Sequence, residues 1–199
     1  MEERVVIING SYREDGISEQ MVYVIEAMLQ EKGISFYSIK LRDKTIHFCD
    51  NCRHCMHAKG TTPGRCHHQD AMDEIIASLE EGVAYIFISP TNMGTTTALY
   101  KCFLERLSVY AYWPWGASSP KFRKSVFAKK ALCLSSCAAP SLLGWLFFDT
   151  MKLLKLSAKC VGAQVIDTMY LGYAAQERAQ LLKEKEKQKL RQKVLKLLA

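Results

Sequence analysis

Cysteine and histidine crowd one short stretch of this chain. Between residues 47 and 68 lie all five of its histidines and four of its eight cysteines. The thiols fall as Cys49-x2-Cys52-x2-Cys55-x10-Cys66. Two successive x2 gaps let three thiolates face one centre, and a fourth from Cys66 would complete the ligand set of a [4Fe–4S] cluster. Zinc takes the same soft donors, with cysteine or histidine as its fourth ligand. The third reading is a segment that holds no metal, and spacing alone leaves all three open. The histidines do not decide among them, since none recurs at the i, i+4 spacing of a zinc-binding helix and polar rings on an exposed insertion are commonly surface residues. Cys102, Cys133 and Cys160 sit in apolar patterns and read as small core residues.

What positions that segment is an alternation of apolar runs with helical patterns. Arg4–Asn9, 34–40, 83–89, 131–135 and 161–166 read as five strands. Ser18–Lys32, a helix opened by Asp70 with Asp73 as a box-like partner and closed by Gly82, Thr95–Tyr110, 142–156 and a basic helix at about 174–198 lie between and after them. Strands separated by helices argue for a parallel sheet covered on both faces. The expected fold is a single α/β domain over 1–199, a flavodoxin-like three-layer sandwich with strand order 2-1-3-4-5 and a Cys/His-rich insertion at about 47–68. In such a sheet ligands bind beyond the carboxyl ends of the strands, so the loops after strands one, three and four should carry function.

Composition is that of a soluble globular protein. Met1 to Arg4 lead straight into a strand with no cationic and apolar leader, which reads as a cytoplasmic chain with reduced thiols. The uncharged stretch 131–148 is interrupted by serines, Pro140 and Gly144, so no membrane span is expected. The net charge of +7 is concentrated at the end: Glu177 to Ala199 holds eight Lys/Arg and three Glu. Such a run can attract nucleic acid. Leu181, Leu182, Leu190, Val194, Leu197 and Leu198 instead suggest a helix packed on the body or on a second copy, and nucleic acid is the poorer expectation.

The loop after strand one, from Asn9 to Ser18, is rich in Gly and Ser and runs into a helix. Backbone N–H groups at a helix start favour an anion, and Arg13 can add a charge-assisted bond. This suits a phosphate, yet it is neither G-x-G-x-x-G nor a Walker loop. After strand three, Ser89-Pro90-Thr91-Asn92-Met93-Gly94 and three threonines supply amides and hydroxyls for a planar heterocycle. After strand four, Ser135-Ser136-Cys137-Ala138-Ala139-Pro140 is small and uncharged.

These motifs resemble those of the NAD(P)H-dependent FMN reductases. Gly10-Ser11-Tyr12-Arg13 with Gly16 and Ser18 is similar to their G-S-x-R…G-x-S/T phosphate loop. Ser89 to Gly94, followed by Leu99-Tyr100-Lys101 and Leu104-Glu105-Arg106, is similar to their S-P-x-Y-x-G…L-K-x-F-x-D-R segment. Cys52-x2-Cys55, Gly64-Arg65-Cys66 and Asp70-Ala71-Met72 resemble the C-x-x-C…G-x-C…D-D-M segment of a cysteine-bearing branch that includes the iron–sulfur flavoproteins. The resemblance covers about residues 4 to 110.

It implies that Ser11, Arg13, Gly16, Ile17 and Ser18 hold an FMN phosphate. Pro90, Thr91, Asn92, Met93 and Gly94 would line the isoalloxazine and ribityl groups, with Ser135 and Ser136 closing the far side. Cys49, Cys52, Cys55 and Cys66 would be the cluster ligands where a cluster is present, across a last gap longer than in the iron–sulfur flavoproteins. The implied reaction passes reducing equivalents from NAD(P)H through FMN to a small acceptor such as a quinone, a flavin or an azo compound. The alternative is electron transfer between FMN, a cluster and a redox partner protein. The flavin carries the chemistry in both, so no catalytic side chain is assigned. Relatives usually form homodimers. Asn92 and Met93 stand where many relatives have aromatic residues, and Asp15 brings a negative charge toward the phosphate loop.

Overall fold

The computed structural model describes residues 4–124 and 127–199; Met1 to Glu3 lie outside them. Five parallel strands form the central sheet: β1 (Arg4–Asn9), β2 (Ser35–Lys40), β3 (Gly82–Pro90), β6 (Lys129–Ser136) and β7 (Ala163–Leu171), in the order β2-β1-β3-β6-β7. The expected strand order holds, because the short strands β4 (Ala111–Tyr112) and β5 (Lys121–Phe122) pair only with each other, antiparallel.

Alternation of side chains along each strand gives the sheet two apolar faces. Val6, Ile8, Tyr85, Phe87, Ala131 and Cys133 face α2 (Ala71–Glu81), α3 (Ala98–Arg106) and α5 (Thr150–Cys160). Val5, Ile7, Ile86, Ile88, Leu132 and Leu134 face α1 (Ile17–Glu31) and α6 (Glu184–Leu198). This is the three-layer sandwich that the alternation predicts.

Four helical expectations change in detail. The 95–110 helix begins at Ala98, because the Thr97 hydroxyl caps it by accepting from the Tyr100 N–H at 3.1 Å, and it ends in a 3-10 turn, Leu107–Tyr110. Asp70 caps α2 as expected, accepting from the Met72 N–H at 2.9 Å, while Asp73 stays exposed at the surface. The 142–156 helix is two helices, α4 (Ser141–Phe147) and α5, separated where Asp149 N–H donates to the Gly94 carbonyl. The basic helix starts at Glu184 rather than 174. Residues before it are held irregular by Gln20, which donates to the Gln180 carbonyl at 2.8 Å and accepts from the Leu182 N–H at 2.8 Å.

α6 buries Leu190, Val194 and Leu197 against the sheet, and Lys193 pairs with Asp167 of β7 at 2.7 Å. Leu182, Leu190, Val194 and Leu197 of the expected stripe therefore pack on the body, whereas Leu181, which precedes the helix, is exposed. No helix among the described residues is long and apolar enough to cross a membrane.

Candidate functional site

A cavity of about 320 Å³ opens at the carboxyl ends of β1, β3 and β6. Ser11, Arg13, Gly16, Ile17, Ser18, Pro90, Thr91, Asn92 and Ser136 line it, together with Tyr12, Cys137, Ala138, Ala174 and Ala175. Its size suits a small-molecule site. One end is polar. There α1 starts at Gly16 with no side-chain cap, unlike α2 and α3, so its first N–H groups are left for whatever fills the cavity. Ser18 and Ser136 stand with hydroxyls 3.4 Å apart beside it.

The loop that carries Ser11 is fixed from below. Glu19 is fully buried in the first turn of α1 and binds three partners. Asn9 Nδ2 donates to its Oε2 at 2.7 Å, Arg42 Nη1 donates to the same oxygen at 2.8 Å, and Lys40 Nζ stands 2.6 Å from Oε1. Asn9 in turn accepts from the Ser11 N–H at 3.0 Å through Oδ1. Burial works against ionisation of Glu19, but the bonds from Arg42 and Lys40 prevail and hold its carboxyl below the usual range. Arg42 is also shared with Glu14 at 3.8 Å and Asp43 at 3.6 Å, so the cluster carries no surplus of positive charge and serves to fix the loop. Sequence reading did not find Glu19, whose partners are Lys40 at the end of β2 and Arg42 in the 3-10 turn that follows it.

Arg13 lines the cavity, yet its guanidinium is engaged elsewhere: Nε donates to Asp15 Oδ1 at 3.0 Å and Nη2 to the Arg178 carbonyl. Asp15 thus meets Arg13 rather than the cavity. Asp15→Asn should release Arg13 toward an anionic ligand and raise the affinity for a phosphate-bearing ligand up to about fivefold, the worth of a surface ion pair; a binding titration of wild type and variant checks this.

Met93, Gly94 and Ser135 are placed differently from the rest of the expected set. Asn92 and Thr95 exchange two backbone hydrogen bonds, of 2.8 and 3.0 Å, around Met93 and Gly94. Both central residues have positive φ, +48° and +79°, as a tight hairpin turn requires. Met93 therefore projects fully into solvent and Gly94 accepts from Asp149, so neither lines the cavity. Ser135 is buried one layer down. Its hydroxyl, with those of Thr150 and Tyr170, surrounds the Thr91 hydroxyl and orients it. Ala174 and Ala175 were missed because their position depends on a tertiary bond, Ala174 N–H to the Cys137 carbonyl at 2.8 Å.

The cysteine segment is separate: none of its residues lines this cavity. It lies at the far end of α3, a helix of about 13 Å. Arg106, buried at that end, binds Asp70 at 2.6 Å and the His47 carbonyl at 2.9 Å. Thr97 at the other end donates to the Gly10 carbonyl at 2.6 Å. Asn51 and Arg53 adopt left-handed backbone, φ +54° and +60°, on either side of Cys52, which winds the C-x2-C-x2-C run tightly. The Arg53 guanidinium stacks 3.5 Å from the centre of Trp113 and 4.3 Å from that of Trp115. Arg123 Nη2 donates to the Cys55 carbonyl at 3.0 Å.

Among the described residues, no three of the four sulfurs of Cys49, Cys52, Cys55 and Cys66 lie within 4.8 Å of one another, as the ligands of a single ion would. Burial pushes the Cys55 thiol up to about 11, and Cys66, Cys49 and Cys52 around it add to the rise. Cysteine sulfurs are the donors that a [4Fe–4S] cluster takes, so the residue types fit a cluster, while the spacing is not that of one mononuclear ion. The Arg106 guanidinium lies against Cys66, and its Nε is buried without a hydrogen-bond partner.

A model of the NADPH-dependent FMN reductase family matches residues 3–176. The chain belongs to that family. An iron–sulfur flavoprotein of Archaeoglobus fulgidus is 30% identical over 111 residues, 56% of this chain and 48% of that protein. One of Methanocaldococcus jannaschii is 30% identical over 103 residues, 52% of this chain and 51% of that protein. The chain thus spans about half the length of the curated relatives it matches. Among solved structures, an NAD(P)H:quinone oxidoreductase from Methanothermobacter marburgensis superposes with a TM-score of 0.67 at 17% identity, over 98% of this chain and 97% of that one, which shows the shared fold.

Proposed function

We propose that this member of the family is an FMN-dependent oxidoreductase that takes reducing equivalents from NAD(P)H and passes them to a small acceptor of the quinone, flavin or azo class. The observation that carries the reading is the cavity with an uncapped helix start at its polar end. FMN, when bound, supplies reversible hydride uptake and release. Ser11, Ser18, Ser136 and the N–H groups of α1 would hold its phosphate. Pro90, Thr91, Asn92, Ala138, Ala174 and Ala175 would flank its ring system and keep water from it. Among the described residues lining the cavity, the ionisable side chains are Tyr12, Arg13 and Cys137, and no histidine is present. The protein's part is accordingly to bind and orient rather than to shuttle protons.

The second reading adds a [4Fe–4S] cluster on Cys49, Cys52, Cys55 and Cys66, with electrons exchanged with a redox partner protein. The buried Arg106 against Cys66 favours it, and the two curated relatives are named iron–sulfur flavoproteins. A homodimer fits the outer face of α4: Leu142, Leu146 and Phe147 are exposed there, with Met93 exposed on the neighbouring turn.

An anaerobic visible spectrum of the purified protein, with iron, sulfide and zinc analysis, separates the readings. Flavin absorbance without iron is expected for the first, and flavin with about four irons per chain for the second. A colourless protein containing zinc would overturn both.

A further inference from the structure

Beside the thiols stands a trio of ligand groups that neither reading uses. Asp50 Oδ2 lies 2.9 Å from His67 Nε2 and 3.1 Å from His68 Nε2, and the three ligand atoms lie within 4.8 Å of one another. His68 Nε2 is buried and, although aimed at Asp50, lacks a hydrogen-bond partner of proper geometry. Its ring is held by stacking on His47, with centroids 5.4 Å apart, and by His67 at 4.1 Å. A carboxylate oxygen can accept from two imidazoles, yet His68 Nε2 makes no hydrogen bond of proper geometry to it. As ligands of one cation all three atoms would be used.

Zinc-class ions bind histidine nitrogen at about 2.0–2.1 Å and carboxylate oxygen at about 2.0–2.2 Å, which sets neighbouring ligand atoms of a tetrahedral shell roughly 3.3 Å apart. The observed spacings need only slight opening to admit such an ion. Metal-bound histidines also give their other ring nitrogen to an outer partner, and His67 Nδ1 stands 3.5 Å from Cys52 Sγ. We propose that Asp50, His67 and His68 form a mononuclear site for a divalent transition-metal ion of the zinc class, distinct from the four-thiol site. Its fourth position opens into a surface basin lined by Asp50, Cys52, His54, His57 and His67.

The placement gives the ion a task. Asp50 follows Cys49 and the two histidines follow Cys66, so the ion ties the two ends of the segment together. That tie holds the Cys66 end of the segment to its Cys49 end whether or not the thiols carry a cluster, and it does not depend on the flavin reading.

The test is a Co²⁺ titration of the full chain, anaerobic and freed of adventitious metal by chelator, with bound cobalt counted by equilibrium dialysis. Saturable uptake of one Co²⁺ per chain is expected, with weak visible bands of nitrogen and oxygen ligation and no thiolate-to-cobalt charge transfer. Asp50→Asn and His68→Ala, both on the exposed segment, should each lower the affinity by at least about tenfold while circular dichroism and flavin content stay unchanged. Absence of saturable uptake would overturn the proposal. So would uptake that survives both substitutions, or a strong thiolate charge-transfer band, which would put the ion on the cysteines.

Discussion

Glu19→Ala is expected to destabilise the protein by about 3–5 kcal/mol, because it leaves two cations without the buried carboxylate they share. Lys40 and Arg42 both converge on that carboxylate, and Glu19 itself has no solvent exposure. Urea denaturation measures the loss. The same substitution frees Asn9 Nδ2, and Asn9 is the acceptor that fixes the Ser11 N–H. FMN affinity should therefore fall in the fraction that remains folded, although Glu19 does not line the cavity. Glu19→Gln should keep the Asn9 bond and recover part of the affinity but little of the stability. Loss of stability with unchanged FMN affinity would separate the ion pair from the loop and contradict the account.

The ion pairs also set an acid limit. The folded-state carboxyls of Glu19 and Asp70 are both lowered. Burial opposes this in each case, but Arg42 and Lys40 outweigh it for Glu19, and Arg106 with the His47 and Met72 N–H groups outweighs it for Asp70. Their stabilisation is then complete above the unfolded carboxyl values, about 3.9 for Asp and 4.3 for Glu, and is lost as pH falls through the lower folded values. Below about pH 4 the wild-type protein should lose stability more steeply than Glu19→Ala.

Gly64→Ala should be the most damaging single change in the cysteine segment. A Cβ there would stand 1.8 Å from the Cys55 carbonyl oxygen and 2.8 Å from its carbon, far inside van der Waals contact. The obstacle is backbone, which Arg123 holds through that same oxygen, and Gly64 N–H is itself committed to the Val109 carbonyl at 2.8 Å. Overpacking of this kind costs about 1–3 kcal/mol, and the rigid obstacle puts it at the upper end. Cys55 should become faster to react with a thiol reagent, and any iron at the four thiols should fall. FMN affinity should hold, because no residue of the segment lines the cavity. Equal loss of flavin would mean that the two sites are coupled through α3.

The frame of the molecule was legible because the signals were local. β1 falls on Arg4–Asn9 as its apolar run predicts, and the phosphate-type loop lies at the start of α1 where a Gly/Ser turn before a helix belongs. What periodicity misses is set by contacts across the fold. β7 runs on to Leu171, beyond the expected 166, because Asp167 in its middle is neutralised by Lys193 and Lys196 of α6 at 2.7 and 3.5 Å. The helix break before Asp149 depends on the Gly94 carbonyl, and the Ala174–Ala175 wall of the cavity depends on Cys137 and Gln20. The Glu19 cluster joins residues from β1, α1, β2 and the 3-10 turn after β2, and has no sequence signature. The path of the ten-residue gap before Cys66 was likewise undetermined by spacing: Arg123, which binds the Cys55 carbonyl, and Arg106, which stands beside Cys66, both lie outside it.

The claim on which the rest stands is that the cavity above β1, β3 and β6 holds FMN with its phosphate at the start of α1. Titration of the flavin-free protein with FMN and, separately, with riboflavin tests it directly through quenching of flavin fluorescence. One FMN per chain is expected, with riboflavin at least about tenfold weaker because the charge-assisted bonds to the phosphate are missing. Equal affinities, or no saturable FMN binding, would contradict the account.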